Sequence, residues 1–199
     1  FDLADRYRMP AMILGDGLLG QMMEPVVINN GNAALPQKEW AACGHKHQRE
    51  HNIVNSLYLK APDLDRVVHE RFARYETIEN NEAMCESYLT QNADVLLVSY
   101  GASARIAKAA VKLARDNGIR AGLFRPITLW PFPKKELALA AQNAKSVLCV
   151  EMNMGQMVDD VRLAIECRKP VHFFGHTGGV IPTPAEVYAQ IRKLTGGDA

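Results

Sequence analysis

The second half of the chain repeats one pattern. Residues 94–100, Asp94-Val95-Leu96-Leu97-Val98-Ser99-Tyr100, form a continuous apolar run that ends at Gly101. A short run of this kind suits a central parallel strand covered on both faces. A helix is expected over 102–117, with Ile106, Ala110, Leu113 and Ala114 on its inner face. Asn117-Gly118 should stop it, because glycine takes the left-handed conformation after a helix without steric cost. The unit then recurs. A strand is expected at 120–125, a turn at Pro131 and Pro133, and a helix over 134–143. Another strand follows at 146–151, then a helix over 155–167 with Met157, Val161, Ala164 and Ile165 on one face. Residues 171–174 read as a fourth strand. Thr183-Pro184-Ala185-Glu186 is a capping box that opens the last helix. Val187, Ile191 and Leu194 form its apolar stripe, and Gly196-Gly197 ends it.

Strands alternating with helices predict an α/β domain: a three-layer α/β/α arrangement with a mainly parallel sheet and right-handed crossovers. Its expected span is 93–197. The first half is less regular. Residues 1–7 read as the end of a helix already under way, which suggests that the chain begins inside a longer protein. Ala11-Met12-Ile13-Leu14 reads as a short strand leading into Gly15-Asp16-Gly17. Residues 29–62 are rich in Asn, Gly, Pro, His and Gln and read as a linker. Residues 63–91 read as a long helix, with Leu64, Val68, Phe72, Tyr75 and Ile78 at spacings of 3 or 4. One helix tail and one strand cannot close a sheet. The opening segment therefore either packs on an edge of the main domain or ends a neighbouring one.

Composition adds exclusions. Of 199 residues, 48% are apolar and 23% charged, and the formal net charge is +1. With charges mixed along the chain there is no electrostatic footprint for nucleic acid or an anionic membrane. No apolar run approaches the roughly 18–20 residues of a membrane-spanning helix. The four cysteines, Cys43, Cys85, Cys149 and Cys167, form no C-x-x-C pair. Cys149 and Cys167 lie in apolar segments and are expected to be buried free thiols. This usage does not read as an iron–sulfur site, a zinc site or a disulfide framework, and it favours a cytoplasmic setting.

Four segments, taken in order, carry a family resemblance. They are Leu14-Gly15-Asp16-Gly17-Leu18-Leu19-Gly20-Gln21-Met22-Met23-Glu24-Pro25, Ser99-Tyr100-Gly101-Ala102-Ser103-Ala104-Arg105, Arg125-Pro126-Ile127-Thr128-Leu129-Trp130-Pro131-Phe132 and Val150-Glu151-Met152-Asn153-Met154-Gly155-Gln156-Met157. Together they resemble the α subunit of 2-oxoacid:ferredoxin oxidoreductases, the 2-oxoisovalerate (branched-chain) type most of all. The resemblance implies that residues 1–28 are the tail of a pyrimidine-binding domain, 29–92 a linker with a long helix, and 93–197 a domain like the C-terminal domain of transketolase. It implies an intact enzyme that uses thiamine diphosphate, Mg, iron–sulfur clusters and coenzyme A, converts a 2-oxoacid to its acyl-CoA and passes electrons to ferredoxin. In such an enzyme the cofactor performs the difficult chemistry and the protein orients it. The β and other subunits would be partners, and a homodimer of the fragment is a further expectation. The residues that activate thiamine and hold the metal and clusters would lie elsewhere, so this chain alone is expected to be inactive and to bind no cofactor itself. Two alternatives remain: a non-catalytic α/β interaction module, and a subunit of another thiamine enzyme such as the β chain of a lipoamide-type 2-oxoacid dehydrogenase.

Candidate residues gather where strands run into helices. Gly101 and Ser103 follow the first strand; Glu151, Asn153 and Gln156 follow the third. Helix N-termini there present unpaired N–H groups that suit anions, and ligands of open α/β sheets collect at these ends. Glu151, Asn153 and Gln156 could line the cofactor-bearing subunit interface; the competing readings are that Ser103 caps its helix, and that Glu151, Asn153 and Gln156 satisfy loop backbone groups. Arg125 sits at a strand end and could pair with Glu151 or face an anionic ligand. Gly15-Asp16-Gly17 reads as a tight turn or an anion site. Gly20 completes G-x-G-x-x-G, but no acidic residue follows at the spacing a dinucleotide site needs. His45, His47 and His51 lie in a polar stretch without a carboxylate or thiol set and read as solvated. Trp130, Pro131 and Phe132 are expected to plug the core beneath a turn, with an interface patch as the alternative. In the loop Gly175-His176-Thr177-Gly178-Gly179, His176 departs from the arginine that the resemblance leads one to expect, which weakens an anion-binding role there.

Overall fold

The computed structural model describes residues 1–28 and 38–196. In chain order the helices are α1 (Asp2–Tyr7), α2 (Gly17–Gln21), α3 (Ala61–Asn81), α4 (Gly101–Asp116), α5 (Lys134–Ala141), α6 (Met157–Ala164) and α7 (Pro184–Leu194). The strands are β1 (Cys85–Tyr88), β2 (Val95–Val98), β3 (Ala121–Pro126), β4 (Ser146–Glu151) and β5 (Val171–Gly175). The chain divides into two compact units: Phe1–Leu14 with Met23–Ile78, and Gly15–Met22 with Glu79–Ala199. Within the first unit the Arg8 guanidinium lies 5.3 Å from the Trp40 ring centre, and Phe72 meets Tyr75 at 5.3 Å on α3.

The second unit holds a five-stranded sheet of order β1-β3-β2-β4-β5. β2, β3, β4 and β5 run parallel, and β1 pairs antiparallel with β3 at the edge. Side chains alternate across the pleat. Leu96, Val98, Val147 and Cys149 face a core shared with Leu137 of α5 and Met157 and Val161 of α6. Val95, Leu97, Leu148 and Val150 face the opposite core, with Ala107, Ala110, Val111 and Ala114 of α4 and Val187 and Ile191 of α7. The three-layer α/β/α arrangement expected from the pattern is therefore present. Small residues on α4 let it sit close to the sheet, while α7 covers the remainder of that face.

The helix stops follow local chemistry. α4 ends at Asp116 with Asn117 as its C-cap, and Gly118 takes φ 78°. α7 begins at the expected capping box: the Glu186 amide donates to Thr183 Oγ1 at 3.2 Å, and the Thr183 amide donates to Glu186 Oε2 at 2.7 Å. Gly197, expected to help end α7, lies outside the described residues.

Other expectations are corrected. Residues 63–91 are not one helix: α3 ends at Asn81, and β1 follows four residues later. β1 exists because β3 offers it an edge: the Ile127 amide donates to the Met84 carbonyl at 2.9 Å, and Cys85 to Tyr88 pair with Pro126 to Leu123. Residues 11–14 form no strand and stay exposed. On α4, Leu113 is 37% exposed, and the alanines and Val111 make the inner face instead. Phe132 enters the core, but Trp130 is 53% exposed. Cys149 is buried, whereas Cys167 is exposed, because the chain turns outward after α6 with Glu166 and Cys167 both at positive φ.

Gly122 marks the tightest approach in the sheet. A Cβ there would stand 2.6 Å from the Leu89 carbonyl oxygen and 3.0 Å from Ala93 Cβ. That carbonyl cannot retreat freely, because Arg115 donates to it at 2.8 Å while also donating to Ala121 O. Gly122→Ala should therefore cost about 1–3 kcal/mol of stability through overpacking. Gly20→Ala, with open space around the added methyl, should leave the urea midpoint almost unchanged; equal midpoints for the two variants would refute the packing account.

Candidate functional site at the switch point of the sheet

From β2 the chain goes through α4 to β3 on one side, and later through α5 to β4 on the other. The crevice past the carboxyl ends of β2 and β4 is thus the topological switch point, where ligands of open α/β sheets gather. The two strand ends are tied together. The Ser99 hydroxyl donates to the Val150 carbonyl at 2.8 Å; Ser103 Oγ lies 3.0 Å from it and donates to the Tyr100 carbonyl at 2.7 Å.

Glu151 closes β4 and is wholly buried. Its carboxylate accepts from the backbone N–H of Gln156, Met157 and Val158 at 3.3, 2.9 and 3.1 Å, and from the Asn153 amide at 3.0 Å. Asn153 Oδ1 in turn accepts from the Gly155 N–H at 2.7 Å. Gly155 takes φ 99°, so the loop needs glycine there. The N-terminus of α6, with its orphan donors and positive dipole end, is therefore filled by the chain's own carboxylate. Of the two readings of Glu151, Asn153 and Gln156, this geometry favours satisfaction of the loop backbone. Burial, with Glu151 next, pushes the Cys149 thiol far above its ordinary pKa. Burial also raises the Tyr100 phenol, followed by the charge of Glu151, while a hydrogen bond with Asn153 opposes the rise.

The N-terminus of α4 is served in the same way. Asp16 Oδ2 accepts from the Ala102 N–H at 3.1 Å, while Asp16 Oδ1 accepts from Leu19 N at 2.8 Å and caps α2. Ser103 does not cap the helix, since it lies inside the first turn and bonds backward. Gly101 takes φ 59°, and a Cβ there would stand 3.1 Å from Asp16 Oδ2. Asp16 is the residue that the sequence undervalued: an aspartate just before a short apolar helical pattern is an N-cap signal. Its second bond, 86 residues away, has no local signature.

Arg125 does not reach Glu151. It pairs with Glu86 of β1 at 3.1 Å, and Lys108 approaches the same carboxylate at 3.4 Å. Gly101 and Arg125 both line a cleft of about 290 Å³ together with Arg105 and Lys108. The geometry thus separates the candidates: Glu151, Asn153, Gln156 and Ser103 around the switch point, and Arg125 one strand away. His45 meets His47 and His51 ring to ring at 5.0 and 4.1 Å. Among the described residues, no group of three His, Cys, Asp or Glu is placed to hold a metal ion. His176 Nε2 lies 3.6 Å from Glu186 Oε1, and its ring meets Phe174 edge-on at 5.2 Å. No described helix is long and apolar enough to cross a membrane.

Residues 93–187 match the family model for the pyruvate:ferredoxin oxidoreductase core domain II. Over these residues the chain belongs to that family. The similarity extends further. A ketoisovalerate oxidoreductase subunit, VorB of Methanothermobacter marburgensis, is 38% identical over 197 residues, 98% of this chain and 55% of that protein. A 2-oxoglutarate synthase subunit, KorA of Methanothermobacter thermautotrophicus, is 29% identical over 220 residues, 98% of this chain and 58% of that protein. The chain therefore spans about half the length of the relatives it matches. Among solved structures, the 2-oxoglutarate:ferredoxin oxidoreductase of Magnetococcus marinus, with 2-oxoglutarate, coenzyme A and succinyl-CoA bound, aligns with a TM-score of 0.58. The alignment covers 68% of this chain and 24% of that one at 16% identity, and it speaks for the fold.

Removing the Glu151 carboxylate should uncap α6. Glu151→Ala leaves buried N–H groups without partners and should cost about 3 kcal/mol or more, and Glu151→Gln about 2 kcal/mol, by urea unfolding. An unchanged midpoint for both would show that the carboxylate does not hold the helix.

The capping box supplies a pH test. Hydrogen bonds from the Thr183 backbone and hydroxyl, then the proximity of His176, hold Glu186 below the ordinary carboxylate pKa. Its contribution is present at neutral pH and is lost as pH falls through that depressed value. The protection of amides in the first turn of α7, measured relative to the unfolded peptide at the same pH, should fall in acid for the native chain and already be low at neutral pH in Glu186→Ala. Identical exchange profiles would refute this.

Proposed function

We propose that the chain is part of a subunit of a 2-oxoacid:ferredoxin oxidoreductase with 2-oxoisovalerate as its preferred substrate. The reading rests on the 38% identity with a ketoisovalerate oxidoreductase subunit over 98% of this chain, together with the core domain II match. In this reading the transketolase C-terminal-like domain spans 93–197, 29–92 is a linker with a long helix whose β1 joins the edge of that domain's sheet, and 1–28 is the remnant of a pyrimidine-binding domain. In the intact enzyme, thiamine diphosphate supplies the carbanion chemistry of decarboxylation. This proposal places that cofactor, the magnesium, the clusters and coenzyme A on other parts of the assembly.

What this chain contributes is then structural. Glu151 and Asp16 hold two helix ends rigid at the switch point. Gly101, Asn153 and Gln156 present a fixed edge there for other subunits, with Ser103 buried behind it, and a fixed edge keeps a cofactor in one orientation. By itself the chain is inactive.

The test uses the enzyme purified in its native assembly, with viologen or ferredoxin as electron acceptor. Reduction should depend on 2-oxoisovalerate, coenzyme A and thiamine diphosphate, and kcat/KM should fall about tenfold or more with 2-oxoglutarate or pyruvate, the scale that a mismatched side-chain pocket gives. The similarity to a 2-oxoglutarate synthase subunit makes 2-oxoglutarate the informative competitor. A preference for it, or no activity with any 2-oxoacid, would overturn the reading.

A further inference from the structure

The geometry points to the loop end of the sheet, past the carboxyl ends of β3, β4 and β5, as a docking face for an apolar, uncharged surface of another protein subunit. This inference rests on the proposed reading of the chain as one subunit of an assembly. β2 to β5 run parallel, so the loops that follow them gather at one end of the sheet. Residues 127–133, 152–156 and 176–183, the loops after β3, β4 and β5, contain no Asp, Glu, Lys or Arg. At the 23% charged fraction of the whole chain, loops of that length would together carry about four or five. The opposite end of the sheet differs. The connections into β2, β3, β4 and β5 carry Asp94, Arg120, Lys145 and the pair Arg168 and Lys169. Charge is therefore lost at one end of the domain only, as at a surface that another protein covers.

The side chains on these loops are apolar and uncovered. Met154 is 82% exposed, and Ile127, Trp130, Val180 and Ile181 are exposed as well. Exposed apolar side chains grouped at one end of a domain mark an interaction site. The loops are held in shape by their own bonds. The Thr128 hydroxyl donates to the Pro131 carbonyl at 2.7 Å, Gly155 N–H to Asn153 Oδ1 at 2.7 Å, and Val180 N–H to the Thr177 carbonyl at 3.2 Å. Little ordering is left for docking to impose. The acids at this end are used within the chain: Glu151 is buried on the amides of α6, Asp16 accepts from two helix amides, and Glu82, ahead of β1, is engaged. Charges resume around the face, with Lys134, Asp159 and Glu186 in the first turns of α5, α6 and α7. A centre with Met and Trp, ringed by charge, has the anatomy of a subunit interface. The missing charge also selects the occupant. A partner that brought a charge onto this centre would bury it without a counter-ion, at high cost; a neutral apolar protein face avoids that cost.

The test is sedimentation velocity of the native assembly carrying each of three variants. Met154→Glu and Ile181→Glu put a charge on the face; Gln91→Glu puts the same charge at the opposite end of the sheet, where Gln91 is exposed. All three positions are exposed, so urea midpoints should match the native chain, and Val180→Glu repeats the test should one variant fold poorly. The Kd between this chain and the other subunits should rise about tenfold or more in Met154→Glu and in Ile181→Glu, as expected for a charge buried without a partner. It should stay unchanged in Gln91→Glu and in Met154→Leu. An assembly indifferent to both face variants, or weakened equally by Gln91→Glu, overturns the inference. So does loss of contact between two copies of this chain while the unlike subunits stay bound, which assigns the face to a second copy. Binding of neutral phosphatidylcholine vesicles that Met154→Glu abolishes, with the assembly intact, assigns it to lipid and overturns it too. A native chain that purifies without other subunits sinks the subunit reading along with this face. Because the readout is assembly and not turnover, a different substrate preference would leave the result standing.

Discussion

A carboxylate buried at the end of a central strand is expensive unless every lone pair is used, because an isolated charge in a dry interior is strongly disfavoured. Glu151 meets that condition. Three backbone N–H groups at the start of α6, the Asn153 amide and the dipole of the helix all face it. The consequence spreads outward. The end of β4, the loop through Asn153 and Gly155, and the first turn of α6 become one rigid piece. β5 then has to run so close that Gly175 has no room for a side chain: a Cβ there would meet the Asn153 and Glu151 carbonyls at 2.7 and 2.9 Å.

The same device appears across the crevice. Asp16 closes the ends of α2 and α4 at once. Two helix N-termini that would ordinarily invite external anions are therefore occupied by the chain's own acids. The switch point is built to be stiff rather than to receive a phosphate. One strand over, at the β1–β3 edge, Lys108 and Arg125 share the Glu86 carboxylate. Rigidity at the switch point suits the positioning role proposed for this domain.

The strand-helix rhythm was legible because each element carried its own signal. β2 and β4 are continuous apolar runs, Asn117-Gly118 stops α4, and Thr183-Pro184-Ala185-Glu186 starts α7; each is read from a handful of neighbouring residues. β1 was not legible. Four residues with half-exposed sides have no apolar alternation strong enough to stand out, and only the vacant edge of β3 makes them a strand. Cys167 was misjudged for a related reason: apolar neighbours suggested burial, but a positive-φ turn carried it outward.

The candidate site divides along the same line. By itself the amino-acid order placed Gly101, Ser103, Glu151, Asn153 and Gln156 at strand ends, because which residues follow a buried run is a local matter. Only the tertiary structure decided what they do there. Whether Glu151 faces a ligand or an adjacent helix depends on where the chain turns after β4. Whether Arg125 meets Glu151 or Glu86 depends on which strand lies beside β3. Partner choice across tens of residues is settled by packing, since hydrogen bonds and charges act over a few ångströms in space, whatever the separation along the chain.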